Sequence, residues 1–506
     1  MKKYYLILLL CVLQLHFTAT AQNANRSRFI TDSLDNYINR SLTNWRVPGA
    51  AVCIVKDGRI ILRKGYGIKE LGLATKVDEN TLFMIGSNTK AFTATAMAML
   101  QTQNKLSLDD KVTKYLPDFK LENKAATDMV TLRDLLCHRI GFGTFQGDFT
   151  YWTSNLTRKD VVERMSHIKA MYPFRSRWGY TNAAFLTAGE VMEKVTGKPW
   201  ENYIKETLLA PLGMTSTLTL SKDLATSFNK SAAHTLVDGR LAAIPYPQID
   251  NLAPAGSMSS SANDMCKWVL ALLANGKVGA KDVMPAAALR ATQQPQMLVG
   301  GEPDGTFSAY GLGWFLQGYK GHRIIMHTGG VNGFVSSVTL VPDQNLGIVI
   351  LTNTDQNNLI ETLNFDVIDA YLKLPFRNNS DAALTVVKGN QQRDLAREKA
   401  LRDSTALNLR PALDLNNYTG KYSNDLYGSI TIAKGEANDL EVRFEHHPKM
   451  YARLQSLGGN RFYATFSDPV FGRAVFPFLV QNNRVVSVQV KVANFIEFGA
   501  YDFKRK

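Results

Sequence analysis

Residues 84–100 read MIGSNTKAFTATAMAML, in which a serine and a lysine stand where a short strand-like stretch meets a run of small and apolar residues. In a helix that begins here, Lys90 lies one turn beyond Ser87 on the same face. The free N–H groups and positive dipole at a helix N-terminus favour developing negative charge. The stretch therefore predicts a short strand, a helix buried on most sides, and a nucleophile at their junction.

The Ser-x-x-Lys spacing is not specific by itself, because the chain contains it three times. Ser166/Lys169 and Ser227/Lys230 share the spacing but lack a preceding strand and a long buried helix after them. A serine hydroxyl is a weak nucleophile that needs a base within hydrogen-bond reach. Lysine acts as that base only when burial or a second cation lowers its pKa. Only the pair in the opening stretch has a setting suited to catalysis.

A lysine base works with groups that share the proton, hold the substrate and stabilise the oxyanion. A tyrosine two residues before an asparagine occurs at Tyr37/Asn39, Tyr180/Asn182 and Tyr422/Asn424. A basic residue followed by Thr-Gly in a strand context occurs once, in the HTGG stretch at 327–330. Ser87, Tyr180 and His327 are far enough apart in the chain for three segments to converge.

The HTGG stretch predicts a strand that forms one edge of the site. Its glycines let a substrate backbone approach closely. The backbone N–H of Gly330 can join that of Ser87 in an oxyanion hole. We expect His327, Thr328 and Gly329 to line the bound substrate.

The stretches GSNTK, GYTNAAF and MHTGG, in that order, resemble the motifs of the serine β-lactamase-like superfamily, in its branch of class C β-lactamases, penicillin-binding proteins, D,D-peptidases and esterases. Supporting stretches such as VPGAAVCIVKDGRIILRKGYG and LSLDDKVTKYLPDF extend the resemblance over roughly residues 27–375. It implies an α/β fold in which helices flank an antiparallel sheet. LNNYTGKYSNDLYGSITI is similar to the lipocalin-like domain that follows the hydrolase domain in some members.

The resemblance also implies the roles of the site residues. Ser87 attacks a carbonyl and becomes acylated, while Lys90 and Tyr180 move its proton and later deliver one to the leaving group. Asn182 holds the substrate amide and orients the lysine. Some members have a lysine where this chain has His327, and an imidazole that is mostly neutral at pH 7 disfavours a dedicated β-lactamase.

The organisation along the chain predicts two domains. Asp57-Gly58 between strand-like runs indicates a β-hairpin, and helical patterns between about 106 and 301 separate it from a second set of strands. This unit is expected over residues 22–375, followed by a linker helix at 376–412. Short alternating strands at 413–506 predict a small β-barrel.

Composition and the N-terminal residues limit the class of protein to which this chain can belong. The 506 residues are 45% hydrophobic and 20% charged, as in globular proteins. Residues 1–21 have a basic start, an apolar centre and a small-residue end, so we expect a signal peptide cleaved before Gln22 and a secreted or periplasmic product. The net charge of +14 favours anionic surfaces, but no basic block with interleaved aromatics indicates nucleic-acid binding.

The remaining cysteines and histidines indicate no cofactor. Cys53, Cys137 and Cys266 are expected as buried thiols, with one disulfide as the alternative. The adjacent His446 and His447 lack the spaced partners of a metal site, so neither a metal nor a cofactor is expected.

Two classes of function follow. The first is a secreted serine hydrolase that acts through an acyl-enzyme on a peptide amide, an ester or a β-lactam, with peptidase or esterase activity favoured over β-lactamase activity. Its partner would be a small-molecule or peptide substrate, with cell-wall fragments as candidates. The second is a catalytically silent protein that binds an envelope ligand. No membrane span is expected, and oligomerisation through the C-terminal domain is left open.

Overall fold

The structure is a computed structural model that describes residues 29–301, 306–436 and 439–506. The signal peptide predicted at 1–21 lies outside the described residues. The strands are β1 Gly49–Lys56, β2 Arg59–Gly67, β3 Phe83–Met84, β4 Ala233–Val237, β5 Arg240–Ile244, β6 Ser259–Ser260, β7 Lys277–Val278, β8 Lys281–Asp282, β9 Met297–Gly301, β10 Phe307–Tyr310, β11 Phe315–Tyr319, β12 His322–Val331, β13 Phe334–Val341, β14 Leu346–Thr352, β15 Gly420–Asn424, β16 Gly428–Lys434, β17 Leu440–Phe444, β18 His447–Ser456, β19 Arg461–Phe466, β20 Arg473–Gln481, β21 Arg484–Val490 and β22 Tyr501–Arg505.

The helices are α1 Leu34–Trp45, α2 Thr89–Thr102, α3 Lys124–Met129, α4 Leu132–Leu136, α5 Asp148–Tyr151, α6 Arg158–Arg164, α7 Asn182–Thr196, α8 Trp200–Ile204, α9 Ala210–Leu212, α10 Ala253–Gly256, α11 Ala262–Leu273, α12 Ala286–Thr292, α13 Leu359–Tyr371 and α14 Asn379–Ala406. Among the residues that the structure describes, no helix is long and apolar enough to cross a membrane.

An eight-stranded antiparallel sheet forms the centre of the first domain, in the order β2-β1-β14-β13-β12-β11-β10-β9. The N-terminal hairpin pairs with β14, so that Ala51 lies opposite Leu351 although they are far apart in the chain. The hairpin turns at Asp57 and Gly58, which have φ values of 52° and 72°. The predicted α/β architecture, with an antiparallel sheet between helices, is confirmed.

Each face of this sheet is covered by helices. Along β1 the side chains alternate, because successive residues of a strand point to opposite faces. Val52 packs with α1 and α13 on one face, whereas Cys53 packs with α2, α7 and α11 on the other. On that second face Phe92 stacks on Trp268 with 4.1 Å between ring centroids. The helical region inserted in the middle of the chain therefore lies on the face that carries α2.

A disulfide joins Cys53 on β1 to Cys266 on α11, while Cys137 is a free, buried thiol. The expectation of free thiols is therefore wrong for two of the three cysteines. The two partners are 213 residues apart in the chain, so their spacing carried no signal. Packing of α11 on the sheet brings them together. Burial raises the pKa of the Cys137 thiol to about 12.

Strands β15–β22 close into an eight-stranded barrel, which confirms the predicted β-barrel. Aromatic residues such as Tyr422, Phe462 and Phe503 fill its interior. One detail differs from the sequence prediction. Short alternating strands were predicted along residues 413–506, but after β21 strand pairing resumes only at Tyr501. The residues between β21 and β22 instead form a loop, here called the inter-domain loop (491–500), which contacts the first domain.

Candidate active site

Ser87 lies on a 3-10 turn, Gly86–Asn88, that connects β3 to α2. It is half-buried, whereas its neighbours Gly86 and Asn88 are fully buried. Gly86 has a φ of 51°, and a Cβ atom at this position would lie only 3.0 Å from the backbone nitrogen of Gly330. A glycine therefore lets the turn approach β12 and leaves the Ser87 hydroxyl as the accessible group of the turn.

Lys90 is fully buried on the first turn of α2, where its Nζ contacts three oxygen atoms. Nζ lies 3.1 Å from Ser87 Oγ, 2.7 Å from Asn182 Oδ1 and 2.8 Å from the carbonyl oxygen of Ala255. Burial lowers the pKa of Lys90 well below its ordinary value, because the charged ammonium loses its hydration. The amine therefore becomes neutral at a far lower pH than an exposed lysine.

The hydrogen-bond partners of Lys90 determine where its lone pair points. A neutral amine has two N–H groups and one lone pair. The side-chain oxygen of Asn182 and the carbonyl oxygen of Ala255 are acceptors only, so the two N–H groups go to them. In the neutral amine the lone pair is then left for the hydroxyl of Ser87, 3.1 Å away, whereas an ammonium would donate to that oxygen. This arrangement suits proton abstraction from the serine.

Tyr180 completes the contacts of the serine. The centre of its ring lies 4.6 Å from Lys90 Nζ, and Ser87 acts on the pKa of its hydroxyl. Burial raises the pKa of Tyr180, while the hydrogen bond with Ser87 acts in the opposite direction. The phenol therefore stays protonated at neutral pH and can exchange a proton with the serine.

Asn182 is oriented by Asp148, a residue that the sequence analysis missed. Asn182 Nδ2 donates to Asp148 Oδ2 at 2.6 Å, which directs Asn182 Oδ1 toward Lys90. Asp148 lies in an ordinary-looking stretch, GDFTYW, without a motif to mark it. Burial and the nearby Glu497 raise its pKa, whereas Lys90 and Asn182 lower it.

His327 lies on β12 below the site and is only 1% exposed. Its Nδ1 lies 2.6 Å from the carbonyl oxygen of Thr328, and its Nε2 lies 3.0 Å from the hydroxyl of Tyr310. Nδ1–H therefore donates to the carbonyl, and Nε2 accepts from the tyrosine. Burial, assisted by Lys90, lowers the pKa of His327 to about 3. The imidazole is neutral, and both of its nitrogens already have partners.

The rest of the HTGG stretch approaches the serine turn closely. A Cβ atom on Gly329 would lie 1.9 Å from the carbonyl oxygen of Ile85, so only glycine fits there. Thr328 and Gly330 alternate with this buried residue and are half-buried. The backbone nitrogen of Gly330 lies beside Gly86 of the serine turn, and the role of its N–H in an oxyanion hole with Ser87 stays a prediction.

The inter-domain loop supplies a wall of the site. The ring of Phe495 lies 3.5 Å from where a Cβ on Gly330 would stand, and it meets Trp152 edge to face. Phe498 packs against Phe145 with 5.5 Å between ring centroids. These two aromatic rings of the C-terminal domain therefore contact the first domain.

The structure thus brings together Ser87, Lys90, Tyr180 and Asn182, and it places Gly330 beside the serine turn. His327 lies close to them but under the surface, with Thr328 and Gly329 next to it on β12. The roles assigned to these residues stay predictions. Asp148, Tyr310 and the inter-domain loop are additions that no local sequence pattern indicated.

A comparison with protein families finds that the beta-lactamase family model matches residues 34–373. The unguisins hydrolase of Aspergillus violaceofuscus is 28% identical over 484 residues, which cover 87% of this chain and 84% of that protein.

Two solved structures share the fold. The octameric penicillin-binding protein homologue from Pyrococcus abyssi is 20% identical, with a TM-score of 0.62, and the match covers 94% of this chain and 99% of that one. A D-stereospecific amidohydrolase from Streptomyces sp. is 24% identical, with a TM-score of 0.53, and the match covers 67% and 97% of the two chains.

Proposed function

The chain belongs to the beta-lactamase family, and on that premise we propose that it is an exported serine hydrolase that forms an acyl-enzyme at Ser87 on peptide-amide or ester substrates. One observation carries the proposal. Lys90 Nζ lies 3.1 Å from Ser87 Oγ, and its other two partners are acceptors. A binding pocket has no need for a buried amine whose lone pair faces a serine.

In the proposed reaction, Ser87 Oγ forms a bond with the substrate carbonyl carbon while its proton passes to Lys90. The N–H groups of Ser87 and Gly330 stabilise the oxyanion. The tetrahedral intermediate collapses when the C–N or C–O bond breaks, and the leaving group takes the proton through Tyr180. Water then attacks the ester of the acyl-enzyme, its proton returns to the leaving Ser87 oxygen, and the acid is released.

The neutral state of His327 supports substrates without a carboxylate beside the reacting carbonyl. A buried imidazole whose pKa is lowered to about 3 carries no charge at neutral pH. Both of its ring nitrogens are already hydrogen-bonded, so it offers no free donor to an anion. We therefore favour aminopeptidase, amidase or esterase activity over hydrolysis of penicillins, cephalosporins and D-Ala-D-Ala peptides, all of which carry such a carboxylate.

The test is covalent labelling of the serine. A fluorophosphonate probe should label the wild-type protein and Ser166→Ala, which alters another Ser-x-x-Lys pair, but not Ser87→Ala. Labelling of Ser87→Ala to the wild-type extent would contradict the proposal and favour the silent binding protein. A panel of D-Ala-D-Ala peptides, D-amino-acid amides, short nitrophenyl esters and a chromogenic cephalosporin would then define the substrate. Preferred turnover of the cephalosporin or of the D-Ala-D-Ala peptides would overturn the substrate preference alone.

Export is part of the proposal. The basic, apolar and small-residue segments of residues 1–21 support it. The disulfide between Cys53 and Cys266 supports it independently, because such bonds persist in oxidising compartments. N-terminal sequencing of the protein recovered from cells should begin at Gln22. An intact Met1 on active protein in the cytosol would exclude export.

A further inference from the structure

The segment of residues 147–149 belongs to the first domain but contacts both domains with successive side chains. Phe149 enters the barrel core, where its ring stacks on Tyr427 at 4.9 Å and on His447 at 5.5 Å between centroids. The preceding Asp148 points the other way and accepts the hydrogen bond from Asn182. The junction between the domains therefore begins one residue from the network that holds Lys90.

Glu497, on the inter-domain loop, holds this segment by its backbone. Its Oε1 accepts from the Gly147 N–H at 3.0 Å, and its Oε2 accepts from the Phe149 N–H at 2.9 Å. The hydroxyl of Tyr501 also donates to Oε2, at 2.9 Å. Glu497 is 3% exposed, so water does not compete for these contacts. A single carboxylate of the barrel domain thus binds the amides on both sides of Asp148.

We propose that Glu497 is a positioning residue of the hydrolase reaction, supplied to the first domain by the barrel. By holding the two amides, Glu497 sets the direction of the Asp148 side chain. Asp148 then orients the amide of Asn182. Asn182 in turn directs the lone pair of Lys90 at Ser87. This inference rests on the proposed function. The barrel domain is then needed to align Lys90 as the base, in addition to supplying one wall of the active site.

The charges along this path supply a readout that a purely structural contact would lack. Glu497 raises the pKa of Asp148 by like-charge repulsion, and Asp148 raises the pKa of Lys90 by attraction. Other titratable groups that face these three are Tyr151, Tyr180, Tyr501, His138 and His327. Removing the carboxylate at 497 lets Asp148 ionise at lower pH, and its charge then raises the pKa of Lys90.

The experiment measures the second-order rate at which a fluorophosphonate labels Ser87, across pH, in the full-length protein. In Glu497→Gln the side chain keeps its size but has one acceptor oxygen, so one of the two amides loses its partner. We expect the plateau rate to fall about 10- to 100-fold, the order of loss that small misplacement of reacting groups produces. The acid limb of the profile should move to higher pH.

A matched control lies on the same domain junction. His446 Nδ1 lies 3.1 Å from Asn155 Oδ1, away from the path to Lys90. His446→Gln should therefore keep the wild-type rate and acid limb. If it lowers the rate as much as Glu497→Gln does, domain docking in general is responsible and the inference is wrong.

A milder variant covers the case in which Glu497→Gln does not fold. Tyr501→Phe keeps both amide contacts and removes one hydroxyl donor to Glu497, so we expect about a fivefold fall in rate, as for the loss of one hydrogen bond. Wild-type rates in the variants, or lower rates with an unmoved acid limb, would overturn the positioning role alone. A wild-type protein that the probe does not label at Ser87 would overturn the proposed function together with it.

Discussion

Two buried aspartates of the first domain, Asp134 and Asp148, differ in how their charges are satisfied. Asp134 accepts hydrogen bonds from the guanidinium groups of Arg139 and Arg175 and from the backbone and hydroxyl of Thr131. Asp148 accepts one side-chain hydrogen bond at Oδ2, and its Oδ1 has no protein donor among the described residues. Both side chains are out of contact with solvent.

The pKa values of the two carboxyls shift in opposite directions. Hydrogen bonds from two arginines lower the pKa of Asp134 in spite of burial. Burial and Glu497 raise the pKa of Asp148. A buried charge that is fully paired stabilises the fold in its charged form, whereas one that is sparsely paired responds to its neighbours. The difference separates a structural cluster from one suited to tuning Lys90.

The largest effect is expected from removing the base itself. Lys90→Met should lower the rate of Ser87 labelling about 10³-fold, since a positioned base contributes about 10²- to 10⁴-fold. The free energy of unfolding should change little, because the desolvation cost of the buried lysine is removed while Asn182 Oδ1 and the Ala255 carbonyl lose their donor. Lys169→Met, which alters an exposed lysine with the same spacing to a serine, should change neither quantity. A rate close to that of the wild type would exclude Lys90 as the base.

Asp134→Asn should act on stability alone. Without the carboxylate, two arginines lose their counter-charge, and the free energy of unfolding should fall by about 3 kcal/mol, as for other broken buried pairs. The labelling rate per folded molecule should be unchanged, since Asp134 has no contact with Lys90 or Asn182 among the described residues. Urea unfolding and probe kinetics on the same sample would check this. Slower labelling with unchanged stability would break the distinction between the two aspartates.

Asp148→Asn should act on the pH profile. The new amide oxygen can still accept from Asn182, and unfolding should change by less than about 1 kcal/mol because the substitution is isosteric and removes a sparsely paired charge. The charge that raises the pKa of Lys90 is gone, so the acid limb of labelling should move to lower pH. This direction is opposite to that expected for Glu497→Gln. If the acid limb moved in the same direction in both variants, the proposed coupling between Glu497 and Asp148 would be wrong.

The smallest effect is the pH dependence of stability. Asp134, whose folded pKa is lowered, stabilises the protein above the ordinary carboxyl pKa near 3.9, and this contribution is lost as pH falls through the lowered value. Asp148, whose folded pKa is raised, contributes a loss of stability as pH rises above about 3.9. Each slope is at most about 1.4 kcal/mol per pH unit. The free energy of unfolding of the wild type, Asp134→Asn and Asp148→Asn should be measured from pH 3 to 7. Relative to the wild type, Asp134→Asn should lose the rise in stability with pH, and Asp148→Asn should lose the fall.

Much of the fold could be predicted from local patterns. The turn at Asp57 and Gly58, the buried helix after Ser87 and the C-terminal strands each follow from a short-range rule of turn chemistry or periodicity. The loop at 491–500 could not be predicted, because its FIEF stretch is rich in residues that favour strands. Its conformation depends on Glu497 binding amides that are some 350 residues away in the chain.

The candidate site likewise has contacts that follow from the sequence and contacts that do not. Ser87 and Lys90 are one helical turn apart, so their contact follows from the sequence. The pairing of Cys53 with Cys266 and the orientation of Asn182 by Asp148 have no local signal. His327 was expected to line the substrate, but whether its ring was exposed or buried depended on the residues that pack around β12.

By itself, the sequence determined the architecture, the nucleophile and its base, because periodicity, turn residues and helical spacing act over a few residues. Only the tertiary structure decided which of two buried aspartates is paired with arginines and which faces the base. It also decided that His327 is neutral and that Glu497 reaches the active-site segment from another domain. Desolvation and hydrogen bonding depend on every neighbour in space, and those neighbours come from distant parts of the chain.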